Sequence, residues 1–220
     1  MTARELVSDS IPPLKTSDTG LDVLRWMNEF QVKHLPIVNN VQFLGLISEE
    51  DVLNVNDPTE PIGNYHLTYY RPFVKEEDHI FNVLKVMAQL KLSIVPVVDE
   101  QEKYCGLVTL QELLERFAHF ASVDEAGGIL VLELNVNDYS LSEIARIVES
   151  NDAIILGLFT KQSSDTTKLE ITLKINKLDL KHIVATFDRY EYVILGYYHK
   201  SEQTEDLKDR YDLLIKYLNI

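Results

Sequence analysis

The chain has 220 residues, of which 45% are hydrophobic and 25% charged, enough to form the cores of two small domains. Asp and Glu number 35 against 21 Lys and Arg, and the resulting net charge of -14 argues against a nucleic-acid-binding or anionic-membrane-binding protein. A single cysteine, Cys105, excludes an internal disulfide and a cysteine-built zinc site. No apolar run approaches the ~18–20 residues that span a bilayer, and the first residues lack the apolar core of a signal peptide, so we expect a soluble, cytoplasmic protein.

Residues 1–120 contain two copies of one sequence unit, which we call repeat 1 (residues 1–60) and repeat 2 (residues 61–125). A shift of 60 aligns LPIV (35–38) with VPVV (95–98), and a shift of 61 aligns GLIS (45–48) with GLVT (106–109). Each copy predicts a helix, a short buried strand, a polar turn, a second strand and a second helix.

The second helix of each repeat begins at a residue typical of helix N-caps, Ser48 or Thr109. Three positions later stand Asp51 and Glu112, at the spacing of a capping box. A plain helix cap needs no ligand, and this interpretation stands beside the binding role considered next.

The repeat unit resembles the CBS domain in two motifs, the apolar–Pro–apolar strand and the Gly-led strand that ends in Ser/Thr-x-x-Asp. The resemblance implies a pair of domains whose clefts bind adenosyl compounds. The acidic residue would accept hydrogen bonds from the ribose hydroxyls, the Ser or Thr would reach a phosphate, and the Pro strand would lie against adenine. In repeat 1 the implied ligand-binding residues are Ser48, Asp51, Pro36, Ile37, Thr16 and the neighbouring His34. In repeat 2 they are Thr109, Glu112, Pro96, Val97 and the turn at Glu76.

The two implied sites differ in chemistry, and we expect the Ser48 site to bind more readily. Glu112 is one methylene longer than Asp51, and Glu76 adds negative charge where repeat 1 has Thr16. Candidate phosphate-binding cations are His34, Lys33, Lys15, Lys75 and Arg71. Residues 1–124 carry 10 basic and 19 acidic residues, a net charge of -9, which disfavours a bare triphosphate.

The second half is also duplicated, at a shift of 39 that aligns residues 130–136 with 169–175. Each copy predicts an alternating strand, a helix beginning after Ser140 or Asp179, and a second strand (residues 154–160 and 192–199). The order βαββαβ predicts a ferredoxin-like domain over residues 128–200, with a hairpin tip at 162–167 and a boundary at 126–128. The whole chain is thus expected to have a mixed α/β (α+β) fold.

This order resembles the ACT domain, a small-molecule-sensing module of amino-acid metabolism. The turn at residues 137–141 (NDYSL) has the Asp of an ACT ligand turn but lacks its Gly, which argues against amino-acid binding and leaves dimerisation open. A CBS pair followed by an ACT-like domain resembles the acetoin-utilisation accessory proteins.

Residues 203–220 predict a terminal helix, because apolar residues recur there at steps of four and three: Leu207, Tyr211, Leu214 and Leu218. Two heptads are too few for an isolated coiled coil, so we expect this segment to pack on the body or on a second subunit.

Nothing in the sequence forms a nucleophile–base pair, a phosphate loop or metal-ligand spacing, so we expect no catalytic residues, no metal and no obligatory cofactor. The leading hypothesis is a homodimeric regulatory protein that senses an AMP, ATP, NAD or S-adenosylmethionine type of ligand. The alternatives are an interaction module with an empty CBS cleft and a regulatory subunit of a separate metabolic enzyme.

Overall fold

The computed structural model describes residues 1–67, 71–163 and 166–198, and its contacts form two compact units, Met1–Phe117 and Ala118–Ile220. The division falls inside the last helix of repeat 2, earlier than the boundary predicted at residues 126–128. The predicted terminal helix, residues 203–220, lies outside the described residues.

The first unit contains the two repeats, each built as predicted from a helix, two strands and a helix. Repeat 1 begins with an N-terminal 3-10 turn and continues with α1 and α2 flanking β1 and β2: Ala3–Leu6, α1 Gly20–Phe30, β1 His34–Asn39, β2 Gln42–Ser48 and α2 Glu49–Leu53. Repeat 2 begins with the linker 3-10 turn and adds a short first strand: Ile62–Asn64, β3 Val74–Lys75, α3 Ile80–Leu90, β4 Ile94–Val98, β5 Tyr104–Thr109 and α4 Leu110–Phe120.

The first helix of each repeat has clear signals at its ends. The Thr19 hydroxyl and the Asp22 carboxylate form a capping box at the start of α1, with Thr19 Oγ1 donating to Asp22 Oδ2 at 2.7 Å. Helices α1 and α3 both end in a left-handed residue, Gln31 and Lys91, 60 positions apart. The repeats therefore match in backbone conformation as well as in sequence.

The strands of the two repeats pair in the same way. β1 and β2 are antiparallel, as are β4 and β5. Leu14 adds a parallel bridge to Ile37, as Val74 in β3 does to Val97. The Pro36 carbonyl accepts the Leu14 N–H at 2.8 Å, so the pairing of β1 with the segment around Leu14 begins at this proline.

Each repeat is completed by a turn from the other end of the pair. The N-terminal turn packs on repeat 2, where the Ala3 N–H donates to the Asp78 carbonyl at 2.8 Å. The linker turn packs on repeat 1, where Ile62 N–H donates to the Asp18 carbonyl at 2.8 Å. One hydrophobic core runs through both repeats, and it includes Ala3 and Ile62.

The second unit is a four-stranded antiparallel sheet of order β7-β8-β6-β9 with two helices. Its elements in chain order are β6 Gly128–Asn135, a 3-10 turn Val136–Asp138, α5 Leu141–Glu149, β7 Ile155–Gln162, β8 Lys168–Ile175, α6 Lys181–Arg189 and β9 Val193–Tyr198. The helices bury Ile144, Ile183 and Phe187 against one face of the sheet, where Leu132 and Leu173 are also buried. The predicted order βαββαβ is the observed one.

The two helix starts predicted in this unit differ in outcome. Ser140 is the N-cap of α5, since its Oγ accepts the Glu143 N–H at 3.3 Å. The start predicted after Asp179 is wrong by one residue, because Leu180 is the N-cap of α6. Asp179 still accepts the Lys181 N–H at 2.9 Å, so its side chain binds the first turn from one position further out.

Candidate functional site

Ser48 and Asp51 form a buried pair at the start of α2, and each is 5% exposed. The Ser48 hydroxyl and its backbone N–H donate to Asp51 Oδ2 at 2.7 and 2.8 Å, and the Asp51 N–H donates back to Ser48 Oγ at 3.1 Å. The predicted capping box is therefore confirmed. It holds a carboxylate and a hydroxyl together beneath the surface of repeat 1.

Thr109 and Glu112 form the equivalent pair in repeat 2, where both are partly buried. The Thr109 hydroxyl donates to Glu112 Oε2 at 2.8 Å, and the Glu112 N–H donates to Thr109 Oγ1 at 3.1 Å. The extra methylene of Glu112 does not prevent the reciprocal bonds. The two pairs differ instead in burial, since Ser48 and Asp51 are each only 5% exposed, whereas Thr109 and Glu112 are partly buried.

The two repeats meet beside these pairs, through His34 and Ser93. The Ser93 N–H donates to His34 Nδ1 at 3.2 Å, and Ser93 Oγ lies 3.0 Å from the same nitrogen. Ser93 Oγ also accepts the Lys33 N–H at 2.9 Å. Because His34 pairs with Ser48 in the β1–β2 register, this contact joins the Ser48 pair to repeat 2.

His34 is buried, and desolvation lowers the pKa of its imidazole below the ordinary value of 6.5. The negative charges of Asp51 and Glu50 act in the opposite direction but are the smaller effects. The acceptance of the Ser93 N–H by Nδ1 also fits a neutral ring. His34 is therefore neutral near pH 7, and its contribution to a site is a hydrogen bond rather than a positive charge.

The other residues predicted for the site lie along the central strands. Pro36 and Ile37 are buried in β1, and Pro96 and Val97 are buried in β4. All four are buried in the core. Each lies within three residues of the start of its strand, the end that pairs with Ser48 in repeat 1 and with Thr109 in repeat 2.

Thr16 is not brought together with Ser48. Leu14 pairs with Ile37 in parallel, so the turn at Thr16 lies beyond the far end of β1, whereas Ser48 pairs with His34 at its beginning. Five residues of strand separate the two, about 16 Å at ~3.3 Å per residue. The parallel pairing of β3 with β4 places Glu76 equally far from Thr109.

The cations predicted near phosphate are unequally available. Lys33 is exposed and directly precedes β1, and its carbonyl accepts the Glu49 N–H of α2 at 2.9 Å. Arg71 instead pairs with Glu102 at 2.9 Å and stacks over the Phe43 ring at 5.9 Å. Lys33 is thus a basic residue whose backbone contacts the start of α2.

Two cavities of about 360 Å³ adjoin the helices of this unit. One is polar and follows the end of α2, with its wall formed by Asn54, Val55, Asn56, Asp57, Glu60, Asn64, Tyr65 and His66. The other is an apolar groove between α3 and α4, formed by Leu84, Met87, Ala88, Lys91, Leu92, Leu110 and Leu113.

Within the described part of the chain, the remaining candidates from the sequence form neither a reactive thiol nor a metal-binding cluster. Desolvation raises the pKa of the Cys105 thiol, with Glu76 and Asp99 adding to the effect, which disfavours the reactive thiolate. Among the described residues no three His, Cys, Asp or Glu side chains gather as metal ligands would. Within the same residues no helix has the length and hydropathy to cross a bilayer.

Sequence reasoning missed Ser93, which joins the repeats. At the shift of 60, Ser93 stands where repeat 1 has Lys33. The available signal for its role was this replacement of a lysine by a small hydroxyl residue next to a buried strand. Its partner lies 59 residues away, and no local pattern predicts such a contact.

Comparison with known proteins decides the family of the first unit. The CBS domain family model matches residues 3–57 and 66–119. Residues 3–119 are a tandem pair of CBS domains. The CBS pair thus contains both capping pairs, one in each domain.

Curated relatives match part of this chain. The chain is 22% identical over 156 residues to inosine-5'-monophosphate dehydrogenase of Methanocaldococcus jannaschii, covering 70% of this chain and 31% of that protein. It is 23% identical over 141 residues to the same enzyme of Bacillus subtilis, covering 61% of this chain and 29% of that protein. The matched region therefore spans less than a third of these relatives.

Solved structures also match about half of this chain. A crystal structure of a CBS domain pair/ACT domain protein from Thermotoga maritima is 26% identical, with a TM-score of 0.50, and covers 55% of this chain and 98% of that one. A structure of CBSX2 in complex with AMP is 17% identical, with a TM-score of 0.47, and covers 54% of this chain and 97% of that one.

Proposed function

We propose that this chain is a non-catalytic regulatory protein whose CBS pair binds an adenosyl compound at the Ser48–Asp51 pair. The observation that carries the proposal is a carboxylate and a hydroxyl, both 5% exposed, held together at the position where CBS domains have their Ser/Thr-x-x-Asp motif. A carboxylate has about four acceptor positions, so Asp51 can accept ribose hydroxyls in addition to the two hydrogen bonds that Ser48 donates to it.

The surroundings of the pair favour a ligand of low negative charge. Glu49 and Glu50 flank Asp51 at the start of α2, and His34 is neutral. Lys33 is the adjacent cation, and residues 1–124 have a net charge of -9. AMP, NAD or S-adenosylmethionine fits this field better than a bare triphosphate.

The second site, at Thr109 and Glu112, is proposed to bind more weakly. Its carboxylate is only partly buried, so water competes there with a ligand for the same hydrogen bonds. Glu76 stands in repeat 2 at the position equivalent to Thr16 of repeat 1, and it adds negative charge to repeat 2.

The test is thermal unfolding of the full chain with AMP, ADP, ATP, NAD and S-adenosylmethionine. A ligand at ~100 times its Kd adds roughly 2.7 kcal/mol, which raises Tm by roughly 5 °C or more for a chain of this size. Asp51→Ala should abolish most of this shift. Lack of response to every compound would reject the adenosyl proposal and favour the interaction module with an empty cleft.

Asp22→Ala is the matched control for Asp51→Ala. Asp22 forms the same capping box with Thr19 at the start of α1, where no ligand is proposed. Both variants lose the carboxylate of a capping box, which costs about 1 kcal/mol, but only Asp51→Ala should lose the ligand response. If both variants keep the response, Asp51 is a helix cap and nothing more.

We assign the second unit to the ACT-like class and propose that it relays ligand binding to a partner, in a cytoplasmic homodimer. Its βαββαβ order supports the class. The proposed partner is a metabolic enzyme that this chain regulates. The test is to purify the tagged chain from a cell extract and identify the proteins that copurify with it. We expect one enzyme to copurify without the ligand and to be released when the ligand is added.

The proposed homodimer uses the outer surface of α3 and α4. Phe81, Leu110 and Leu114 are 53%, 52% and 66% exposed on these two helices, and Leu110 also lines the apolar groove between them. Repeat 1 has Glu49 where repeat 2 has Leu110, so this surface is more apolar in repeat 2. An exposed apolar patch on two adjacent helices is typical of a subunit interface.

A further inference from the structure

His34 lies between the Ser48–Asp51 pair and the second repeat. It pairs with Ser48 in the antiparallel β1–β2 ladder, and the side chains of paired residues lie on the same face of the strands. His34 is 6% exposed and Ser48 5%. A charge on the imidazole would therefore act strongly on a ligand at the Ser48–Asp51 pair, because water screens buried charges poorly.

Ser93 of repeat 2 presents two different groups to the same nitrogen of His34. Its backbone N–H lies 3.2 Å from Nδ1, and its hydroxyl oxygen lies 3.0 Å from Nδ1. A neutral ring can accept a hydrogen bond at Nδ1, whereas a protonated ring donates one there. The hydroxyl oxygen has two acceptor positions, and the Lys33 N–H occupies one of them. Ser93 therefore offers a partner to both charge states of the ring.

Charged residues of repeat 1 act on the ring in both directions. Asp51 and Glu50 on α2 favour the protonated ring, and Lys33, which precedes β1, disfavours it. From repeat 2 the ring contacts Ser93, which is uncharged. Burial has the largest effect and holds the pKa of the imidazole below its ordinary value of 6.5. An anion bound beside the ring would oppose this effect by attraction, so the ring would take up a proton as the anion binds.

We propose that His34 and Ser93 make the Ser48–Asp51 site a proton-dependent oxyanion site, which binds the phosphate groups of a ligand more tightly in mild acid. At neutral pH the ring is uncharged, and Glu49 and Glu50 favour a ligand of low negative charge. In mild acid a proton on His34 adds a positive charge next to Ser48, and the preference moves towards ligands that carry phosphate. This inference rests on the proposed adenosyl site and adds how pH regulates its choice of ligand.

The first test compares the binding of NAD and adenosine to the full chain by titration calorimetry at pH 7.5 and pH 5.5. The two phosphates of NAD stay ionised over this range and adenosine is uncharged, so the ratio of the two affinities reports the response to charge. We expect the preference for NAD over adenosine to rise at least about threefold from pH 7.5 to pH 5.5, because binding of the anion takes up a proton. An unchanged ratio in the native chain would overturn the proposal.

Three variants separate the charge of His34 from its packing. His34→Gln keeps a hydrogen-bonding side chain that does not titrate, and its affinity ratio should be the same at both pH values. Ser93→Ala removes the acceptor for the protonated ring and should show about half of the native rise or less. Ser93→Thr keeps the hydroxyl and should restore the native rise, which identifies Ser93 as a positioning residue for His34. A His34→Gln chain with the native rise would assign the response to another group and contradict the inference.

A separate measurement tests the proposal even when NAD or adenosine fails to bind. Sulfate is a dianion across this pH range, and its effect on Tm is compared with that of sodium chloride at equal ionic strength. We expect sulfate to raise the Tm of the native chain more at pH 5.5 than at pH 7.5, and His34→Gln to lose this difference while it keeps the general stabilisation by sulfate. Equal sulfate effects in the two chains at both pH values would reject the oxyanion site. Absence of adenosine binding alone would reject only the proposed function.

Discussion

His34 shows how one side chain acquires a role that its neighbours determine. A histidine before a buried strand suggests a cation for phosphate, but the structure encloses the ring and gives Nδ1 the Ser93 N–H to accept. Burial depends on residues 59 positions away, so sequence spacing identifies the residue without predicting its protonation. The capping pairs were predictable because the two residues of each pair are only three positions apart in sequence.

The lowered pKa of His34 makes stability depend on pH in a definite direction. Below about pH 6.5 the unfolded chain binds a proton at His34 that the folded chain refuses, so stability is complete above this pH and falls as the pH is lowered towards the folded-state pKa. We expect the Tm of the native chain to fall more than that of His34→Gln between about pH 7.5 and about pH 5.5.

The control for this prediction is His182→Gln, which changes an exposed imidazole on α6. It should keep the full pH dependence of the native chain. Parallel pH profiles for His34→Gln and the native chain would show that His34 is not the group responsible.

The segments that follow the two 3-10 turns cross the strands of the opposite repeat, and a glycine lies beneath each crossing. Ser8 bridges Leu107 in β5, and a Cβ on Gly106 would lie 2.5 Å from Val7 Cγ1. In repeat 1 a Cβ on Gly45 would lie 2.9 Å from Leu67 Cδ1. Gly106 alone of the two also has a positive φ, 140°.

Alanine at these equivalent positions should have unequal costs. Gly106→Ala meets a branched side chain and a φ that alanine rarely adopts, and we expect a loss of about 1–3 kcal/mol in the free energy of unfolding. Gly45→Ala meets the flexible end of a leucine and should cost less. Urea unfolding of both variants measures this difference, and equal losses would contradict the importance of the backbone conformation.

The elements themselves were largely predictable from the aligned repeats. The aligned Pro36 and Pro96, with Gly45 and Gly106, located β1, β2, β4 and β5 to within a residue or two. The crossing of the pair by its two turns was not predictable, because it depends on long-range backbone bonds such as Ala3 to Asp78. The placement of Thr16 had the same difficulty, since strand direction decides which end of β1 it reaches.

At the scale of the whole molecule, the proposed dimer is testable with a residue that repeat 1 already tolerates. Leu110→Glu copies Glu49, the residue at the equivalent position, so the variant should fold normally. A charge buried in the α3–α4 interface without a partner is strongly unfavourable, and we expect at least a tenfold weaker dimer, about 1.4 kcal/mol. Sedimentation equilibrium at micromolar concentration measures the change.

Leu178→Glu is the control for this variant, since Leu178 is 48% exposed and belongs to the second unit rather than to α3 or α4. It should leave dimerisation unchanged. A native chain that is monomeric under these conditions, or a Leu110→Glu protein that dimerises normally, would contradict the proposed interface.

The exchange of turns between the repeats bears on how a fold of two repeats can arise from a single repeat. Because the N-terminal turn fills repeat 2 and the linker turn fills repeat 1, neither half closes its own core. A protein that consisted of one half would complete its core only when two copies exchanged their first turns, as the subunits of a domain-swapped dimer do. Two such halves in one chain would make this exchange intramolecular and independent of protein concentration, and they could then differ in sequence, as Lys33 and Ser93 do at equivalent positions.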